Sequence, residues 1–498
     1  MTGKRILSFI LASLLLLPTL ASCSENSADT PETTDTTAVV DTTAPIETEP
    51  RETERHEIKD SLPDNLNYEG TTWRIYVSGQ GNHDDFVMGL EEREGDVVND
   101  AVFDRNLNVQ ERLNFVLEAN AFNDSYLDNH TKMSALITAG DDTYDLFLGQ
   151  EICAARLVPQ KLFVNAYDLE HIDFSQPWWM NNYMDELTLN KDYRYLLASD
   201  FNTHAISFIR CNYFNKKLYT DLYGDPDELY KTVLDGNWTL DHMNELTVGA
   251  YKDLNGDGVK DMTDQVGFYA HQLNSTVDGF VYGSNVQFTS RDSDGFITLN
   301  MQDNEGAVQL LEDLLEYFYS SAVYVDTEGR HIQAFKNGTT LFITDMFTAA
   351  KSLRDMEEDF GFLPFPKTSE EQEAYKTLVH DTAQLSCIPV SSGKIAISGA
   401  ILEALSAESY RLVTPAYYES ALKLKYARDD ISSQVIDLLR DSVTTNFIYA
   451  YYPLLNDIGV LFRTLVRGGS NTYASYMRKM APAVDKKLAD IVKTFNEE

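Results

Sequence analysis

Between positions 253 and 264 the chain sets oxygen-bearing side chains at a spacing that suits a hard cation. Asp253, Asn255, Asp257, Asp261 and Asp264 stand first, third, fifth, ninth and twelfth in that stretch, and Gly258 stands sixth. Calcium takes about six to eight oxygens in a flexible shell, and a calcium loop supplies them from these positions plus a backbone carbonyl at the seventh, with glycine at the sixth for the turn. Val259 is the seventh residue, so its carbonyl completes the set. A calcium ion held by Asp253, Asn255, Asp257, Val259, Asp261 and Asp264 is the expectation, in a structural role, because one isolated loop neither senses nor catalyses by itself. Asp264 stands where a longer Glu is usual, which weakens bidentate closure. An acidic solvated turn without metal is the competing reading. Residues 266–270 read as a strand, so no helix leaves the loop.

A second chemical signal stands at the start of the chain. Lys4 and Arg5 precede an apolar run over residues 6–17, and Leu20-Ala21-Ser22-Cys23 follows. The run is too short to span a bilayer and has the charged, apolar, small-residue order of a secretory leader. Leu-Ala-Ser-Cys is similar to the lipobox of bacterial lipoproteins. That resemblance implies a signal peptide over residues 1–22 and a diacylglycerol plus an N-acyl chain such as palmitate on Cys23. More than one acyl chain gives stable anchoring, so the expected location is the outer face of a bacterial cell membrane. An ordinary leader with an incidental cysteine is the alternative. Residues 24–60 carry eleven Asp or Glu against three Lys or Arg among Thr and Pro. Such a segment has little to bury, and residues 23–66 are expected to form a disordered tether. Its coil length is roughly 35 Å.

The formal charge of −38, from 78 acidic and 40 basic residues, argues against nucleic acid and against polybasic attachment to lipid. Cys153, Cys211 and Cys387 are an odd set with no metal-ligand spacing, which suits small buried hydrophobes and no disulfide framework. No Gly-x-Ser-x-Gly elbow, His-Glu-x-x-His or phosphate loop appears, and the nine histidines are scattered. No enzyme is expected. A carboxylate pair for glycoside cleavage is not readable among so many acids.

The elements that would position a site follow from periodicity. Residues 72–77 alternate as a strand, and 95–113 read as a helix with Val97, Val98, Ala101, Val102, Leu107 and Val109 inward. A strand at 115–117, a helix at 126–139 and a strand at 144–148 complete a βαβαβ pattern, which implies a parallel sheet with right-handed crossovers. Ligands on such sheets bind beyond the C-terminal strand ends, here residues 78–85 and 149–151. Further strands are expected at 193–198 and 205–212, and helices at 399–409, 412–428, 432–442 and 474–495. About 440 residues follow the leader and tether, which suits two domains.

An apolar strand running into Tyr213-Phe214-Asn215-Lys216-Lys217-Leu218 resembles the passage between lobes in extracellular solute-binding proteins of the maltodextrin-binding class, the receptors of ABC sugar importers. Asn237-Trp238-Thr239-Leu240-Asp241, Ala334-Phe335-Lys336-Asn337-Gly338 and residues 359–367, Asp-Phe-Gly-Phe-Leu-Pro-Phe-Pro-Lys, match in order. The resemblance implies an α/β, two-lobed periplasmic-binding-protein-like fold with hinge strands and a ligand cleft between the lobes. Lobe I would take residues 67–205 and 385–445, and lobe II residues 206–384 and 446–498. It implies a monomer that captures an oligosaccharide and delivers it to ABC permease subunits. A surface lipoprotein that only binds glycan or protein, or a glycan-active enzyme, is the alternative. By position in the family pattern, the ligand candidates are Asn82, His83, Asp84, Gln150, Glu151, Asp200, Asn202, Asp345 and Phe347. Trp178 and Trp179 are added because sugars present C–H faces to aromatic rings, with core packing as their competing role. Trp238 is assigned to structure, at a helix start capped by Thr239.

Overall fold

The computed structural model describes residues 55–79, 87, 92–123, 128–417 and 430–496. The leader, Cys23, most of the acidic tether, and Asn82, His83 and Asp84 lie outside the described residues.

Thirteen strands form in this part: Thr71–Gly79 (β1), Phe115–Asn123 (β2), Leu146–Gln150 (β3), Arg210–Asn215 (β4), Val266–His271 (β5), Thr289–Arg291 (β6), Ile297–Leu299 (β7), Val323–Asp326 (β8), Thr340–Met346 (β9), Phe360–Leu363 (β10), Thr377–Leu378 (β11), Gln384–Cys387 (β12) and Val443–Thr444 (β13). A first sheet has the order β12-β3-β1-β2, with β1 parallel to β2 and β3 and with β12 antiparallel to β3. A second has the order β10-β4-β9-β5-β8, in which β4 is antiparallel to both neighbours and β5 is parallel to both of its own. The expected βαβαβ start is present, with helices Val97–Leu113 and Asn129–Thr138 as its crossovers.

The chain leaves the first sheet ahead of β4 and returns to it after β10, and these two passes are tied to each other and to β13. Ile209 bridges Val379, β11 lies parallel to β13, and the Val379 amide donates to the Thr444 carbonyl at 3.1 Å. The His380 amide donates to the Phe208 carbonyl at 3.0 Å. A narrow ribbon of this kind bends more readily than either packed sheet, which is the physical requirement of a hinge.

Helix Val97–Leu113 starts where Asp96 accepts from the Val98 and Asn99 amides, and it ends at Asn114 in the left-handed region, φ 49°. Its inner face differs from the expected one. Val97 and Leu107 are exposed, whereas Arg105 is fully buried and donates to the Val87 and Phe201 carbonyls at 3.0 and 3.1 Å. A long side chain whose donors meet carbonyls can enter a core that hydropathy alone assigns to valine. Residues 193–198 do not join a sheet, since only Leu197 bridges, to Ser386. Residues His204–Ser207 form a helical turn, so β4 starts later than the expected 205. The segment 385–445 is not all on the first sheet's side, because helix Asp430–Asp441 packs on helix Pro226–Leu234 and on β10. The last helix, Tyr473–Asn496, packs on elements of both sides. Cys153, Cys211 and Cys387 are buried free thiols.

Close backbone approach occurs at Gly267 in β5. A Cβ there would lie 2.0 Å from the Thr247 carbonyl oxygen, so only glycine lets helix Leu240–Ala250 press onto the sheet.

Candidate functional site

On the first sheet, Gln150 ends β3 and accepts from Asn129 Nδ2 at 3.0 Å. Asn202 Nδ2 donates to Gln384 Oε1 at 3.2 Å, and Gln384 in turn donates to the Ser78 carbonyl at the end of β1. These amides stand at the C-terminal ends of parallel strands, where an α/β sheet offers unpaired backbone and a ligand site. Gln384 stands opposite Gln150 in the β12–β3 ladder, so the two hydrogen-bonded groups are neighbours at this sheet end. Asn129 Oδ1 is buried without a hydrogen bond.

On the second sheet, Asp345 near the end of β9 holds His331 Nε2 at 2.8 Å, and the Met346 amide donates to its other oxygen at 2.7 Å. Burial pushes the Asp345 carboxyl up, but the His331 hydrogen bond and the Arg210 charge pull it below the usual carboxylate range. His271, at the end of β5, stacks on His331 with ring centroids 5.1 Å apart, and burial lowers its pKa. Arg210 opens β4 opposite Met346 and is 4% exposed. The charge of Arg210 acts on His271, Asp278, Asp345 and His380, which defines one charged neighbourhood.

Between these two groups lie the crossing residues His380 and Asp381, with His380 Nδ1 at 3.1 Å from Asp381 Oδ1. Burial lowers the His380 pKa. The Ile152 amide donates to the Asp381 carbonyl at 3.0 Å and the His380 amide to the Phe208 carbonyl at 3.0 Å, so this crossing is tied to the end of β3 on one side and to the approach to β4 on the other. The arrangement offers hydrogen-bond donors and acceptors but no activated nucleophile. It can bind a polar solute.

The remaining sequence candidates lie elsewhere. Trp178 has no exposed surface and donates to Glu403 Oε1 at 3.2 Å; Trp179, 4% exposed, donates to Glu403 Oε2 at 3.0 Å. Burial holds Glu403 at about 7. A ring enclosed in this way has no face for a sugar, so the aromatic assignment of Trp178 is corrected to core packing. Phe347 is likewise core, 5.0 Å from the Phe362 ring. Glu151 is fully buried, accepting from Tyr183 and from Thr445 Oγ1 at 3.4 Å, which removes it from any ligand surface. Asp200 accepts from Thr414 Oγ1 at 2.7 Å, and burial raises its pKa to about 6. With Trp179, Arg55, Tyr410 and Arg440 it lines a separate cavity of about 260 Å³. That volume falls below the ~300–1,000 Å³ of ordinary ligand sites. Trp238 donates to the Pro364 carbonyl at 3.0 Å behind a helix capped by Thr239, as expected of a structural residue.

Arg210 and His331 were not legible as site residues. The available signal was a lone arginine inside the apolar run Ile209-Arg210-Cys211-Asn212-Tyr213-Phe214.

In the loop at 253–264, Asp253 accepts from the Gly256 and Gly258 amides at 2.7 and 2.9 Å, and both glycines are left-handed. Asp264 accepts from the Leu254 and Asp261 amides at 3.1 and 3.2 Å. Among the described residues no three His, Cys, Asp or Glu side chains gather closely enough to hold a metal ion. The carboxylates are turned onto the loop's own amides.

No family model and no curated protein matches the chain. Its shape does have counterparts. The sugar-binding protein MalE from Xanthomonas citri aligns at TM-score 0.56 and 12% identity over 86% of this chain and 100% of its own. The chain has the fold of ABC-transporter solute-binding proteins. A cyclo/maltodextrin-binding protein complexed with maltotetraose gives 0.55 at 14% identity, over 86% of this chain and 98% of its own. UgpB from Mycobacterium tuberculosis in complex with glycerophosphocholine gives 0.54 at 13%, over 85% and 98%. The solute-binding fold is two-lobed, and the two sheets of this chain fit it. It carries sugars in some of these proteins and glycerophosphocholine in another, so the fold alone does not select a solute.

Proposed function

We propose that this protein is the lipid-anchored, extracytoplasmic substrate-binding component of an ABC transporter, capturing a carbohydrate by lobe closure and delivering it to permease subunits. The observation that carries this reading is the polar cluster placed about the crossing of a two-lobed solute-binding fold, built from Gln150 and Asn202 on one side and Arg210, His331 and Asp345 on the other. A solute that touches both walls favours the closed arrangement, because only there are both sets of contacts made. Among the described residues no helix is long and apolar enough to cross a membrane, so attachment rests on Cys23. A tether of roughly 35 Å would keep the receptor near its permease without requiring tight affinity between them.

A panel of oligosaccharides read by solution scattering and thermal shift tests this. One glycan class is expected to reduce the radius of gyration and raise Tm; no response to any member would defeat the reading. Labelling with a palmitate analogue is expected to mark the wild type and not Cys23→Ala.

The loop at 253–264 is proposed as a structural calcium site, supported by the ligand order of Asp253, Asn255, Asp257, Val259, Asp261 and Asp264. Binding requires their carboxylates to turn inward from the amides they now accept from. Calorimetry on chelator-treated protein is expected to show one calcium bound and a rise in Tm, and absence of heat removes the assignment.

A further inference from the structure

Arg210 is the one charged group of the neighbourhood around it whose hydrogen bonds are left open. It is 4% exposed, its Nε is buried without a partner, and among the described residues neither of its Nη atoms donates a hydrogen bond or stands in an ion pair. The carboxylates around it are otherwise engaged. Asp345 holds His331 and the Met346 amide, Asp278 is held by Arg463 through Nε at 2.9 Å to both oxygens, and Asp381 faces His380. Two further groups lack partners nearby: His331 Nδ1 and the hydroxyl of the fully buried Tyr449. Tyr449 packs on Tyr282, ring centroids 5.0 Å apart, and Tyr282 lies in helix Ser275–Gly283, which carries Asp278.

The Arg210 Nε–H buried without an acceptor is costly, and the carboxylates nearby balance the guanidinium charge without bonding it, so its donors are open to a ligand. A neutral hydroxyl supplies one acceptor. A carboxylate, phosphate or sulfate supplies two at once in the geometry of the planar guanidinium, with the stronger, charge-assisted bond. We infer that the transported solute carries an oxyanion, a sugar acid in the simplest case, and that Arg210 at the start of β4 is its anchoring residue, with His331 and Tyr449 as flanking hydrogen-bonding groups. This deepens the carbohydrate-receptor reading above and rests on it.

Calorimetry with four probes separates the cases: a uronate disaccharide, its methyl ester, the matching neutral disaccharide, and a sugar phosphate. The ester keeps the size of the uronate and loses only its charge. One of the two anionic probes is expected to bind about 10- to 100-fold more tightly than the ester and the neutral sugar, the range of a charge-assisted hydrogen bond, and the anion preferred tells carboxylate from phosphate. Arg210→Met should abolish that preference and Arg210→Lys should keep part of it, with thermal unfolding confirming that each variant is folded. Equal binding of ester and uronate with no binding of the phosphate, tighter binding of the neutral sugar, or an unchanged preference in Arg210→Met overturns the inference while leaving the receptor reading standing. Should none of the four bind and the oligosaccharide panel also give no response, both fall.

Discussion

Arg463→Met is expected to lower stability by about 3–5 kcal/mol, the range for removing one partner of a buried ion pair. Asp278 sits in helix Ser275–Gly283 with 2% of its side chain exposed, and Arg463 reaches it from helix Leu461–Gly468 through Nε and a second nitrogen. The neighbouring Gly279 lets Phe365 lie where a Cβ would be 1.9 Å from the ring, so the helix carrying Asp278 is pinned and cannot swing its carboxylate to water. Without Arg463 the carboxyl can escape its burial only by taking a proton. Burial already raises the folded-state pKa of Asp278 to about 6 against the lowering effect of Arg463, and in the variant it lies further above the unfolded value. Stability is therefore retained below the unfolded pKa and lost as pH rises through the folded one. The variant should approach the wild type near pH 4 and fall furthest behind at pH 8. Asp278→Asn combined with Arg463→Met should recover most of the loss, because no charge is left stranded. Denaturant unfolding of the two single variants and the double measures this. A single-variant loss below about 1 kcal/mol would show that the pair is solvated in solution.

Glu151→Gln is expected to act in the opposite direction at alkaline pH. Glu151 is fully buried, and that burial raises its pKa to about 8 against the lowering effect of the Tyr183 hydrogen bond, with Asp381 raising it further. The folded value lies above the unfolded one, so the neutral acid contributes stability below the unfolded pKa, and that contribution is lost as pH rises through about 8. Wild-type stability should decline between the ordinary glutamate range and pH 8–9 by an amount on the order of 2–4 kcal/mol. Glutamine copies the neutral acid in shape and can still accept from Tyr183. The variant should therefore decline less than the wild type across that window, the rest of the decline belonging to Asp200, Asp278 and Glu403, and should exceed the wild type at pH 9. Parallel curves for the two proteins would mean that Glu151 is ionised in the folded state. Thr445, next to β13, also donates to this carboxyl, and that bond opposes the effect of burial by favouring the ionised form.

Local pattern reached a long way in this chain. The alternation of residues 72–77 and the capped helix after Asp96 depend on neighbours in sequence, and both formed where periodicity put them. The strand ends that bear Gln150 and Asp345 were also legible, because the solute-binding pattern orders its segments and strand ends follow from strands. Fold class belongs to this level. The environment of a side chain does not. A tryptophan reads the same on a cleft wall as in a core, and only packing against Glu403 assigns Trp178 to the core. Glu151 follows β3 as a ligand would, yet it points at Tyr183 and Thr445, which are 32 and 294 residues away. Hydropathy turned Leu107 inward and left out Arg105, since it counts charge and ignores the carbonyls that can satisfy it.

The sequence by itself determined the strands and helices of the βαβαβ start and their order, because these rest on interactions within about a dozen residues, and the two-lobed class followed from the resemblance to solute-binding proteins. Only the tertiary structure decided which groups meet. The second sheet's order, β10-β4-β9-β5-β8, sets Arg210 opposite Met346, and the return of the chain after β10 ties His380 to Phe208, two residues before Arg210. Such a site is a sum of contacts between distant segments, fixed by sheet order and chain crossing.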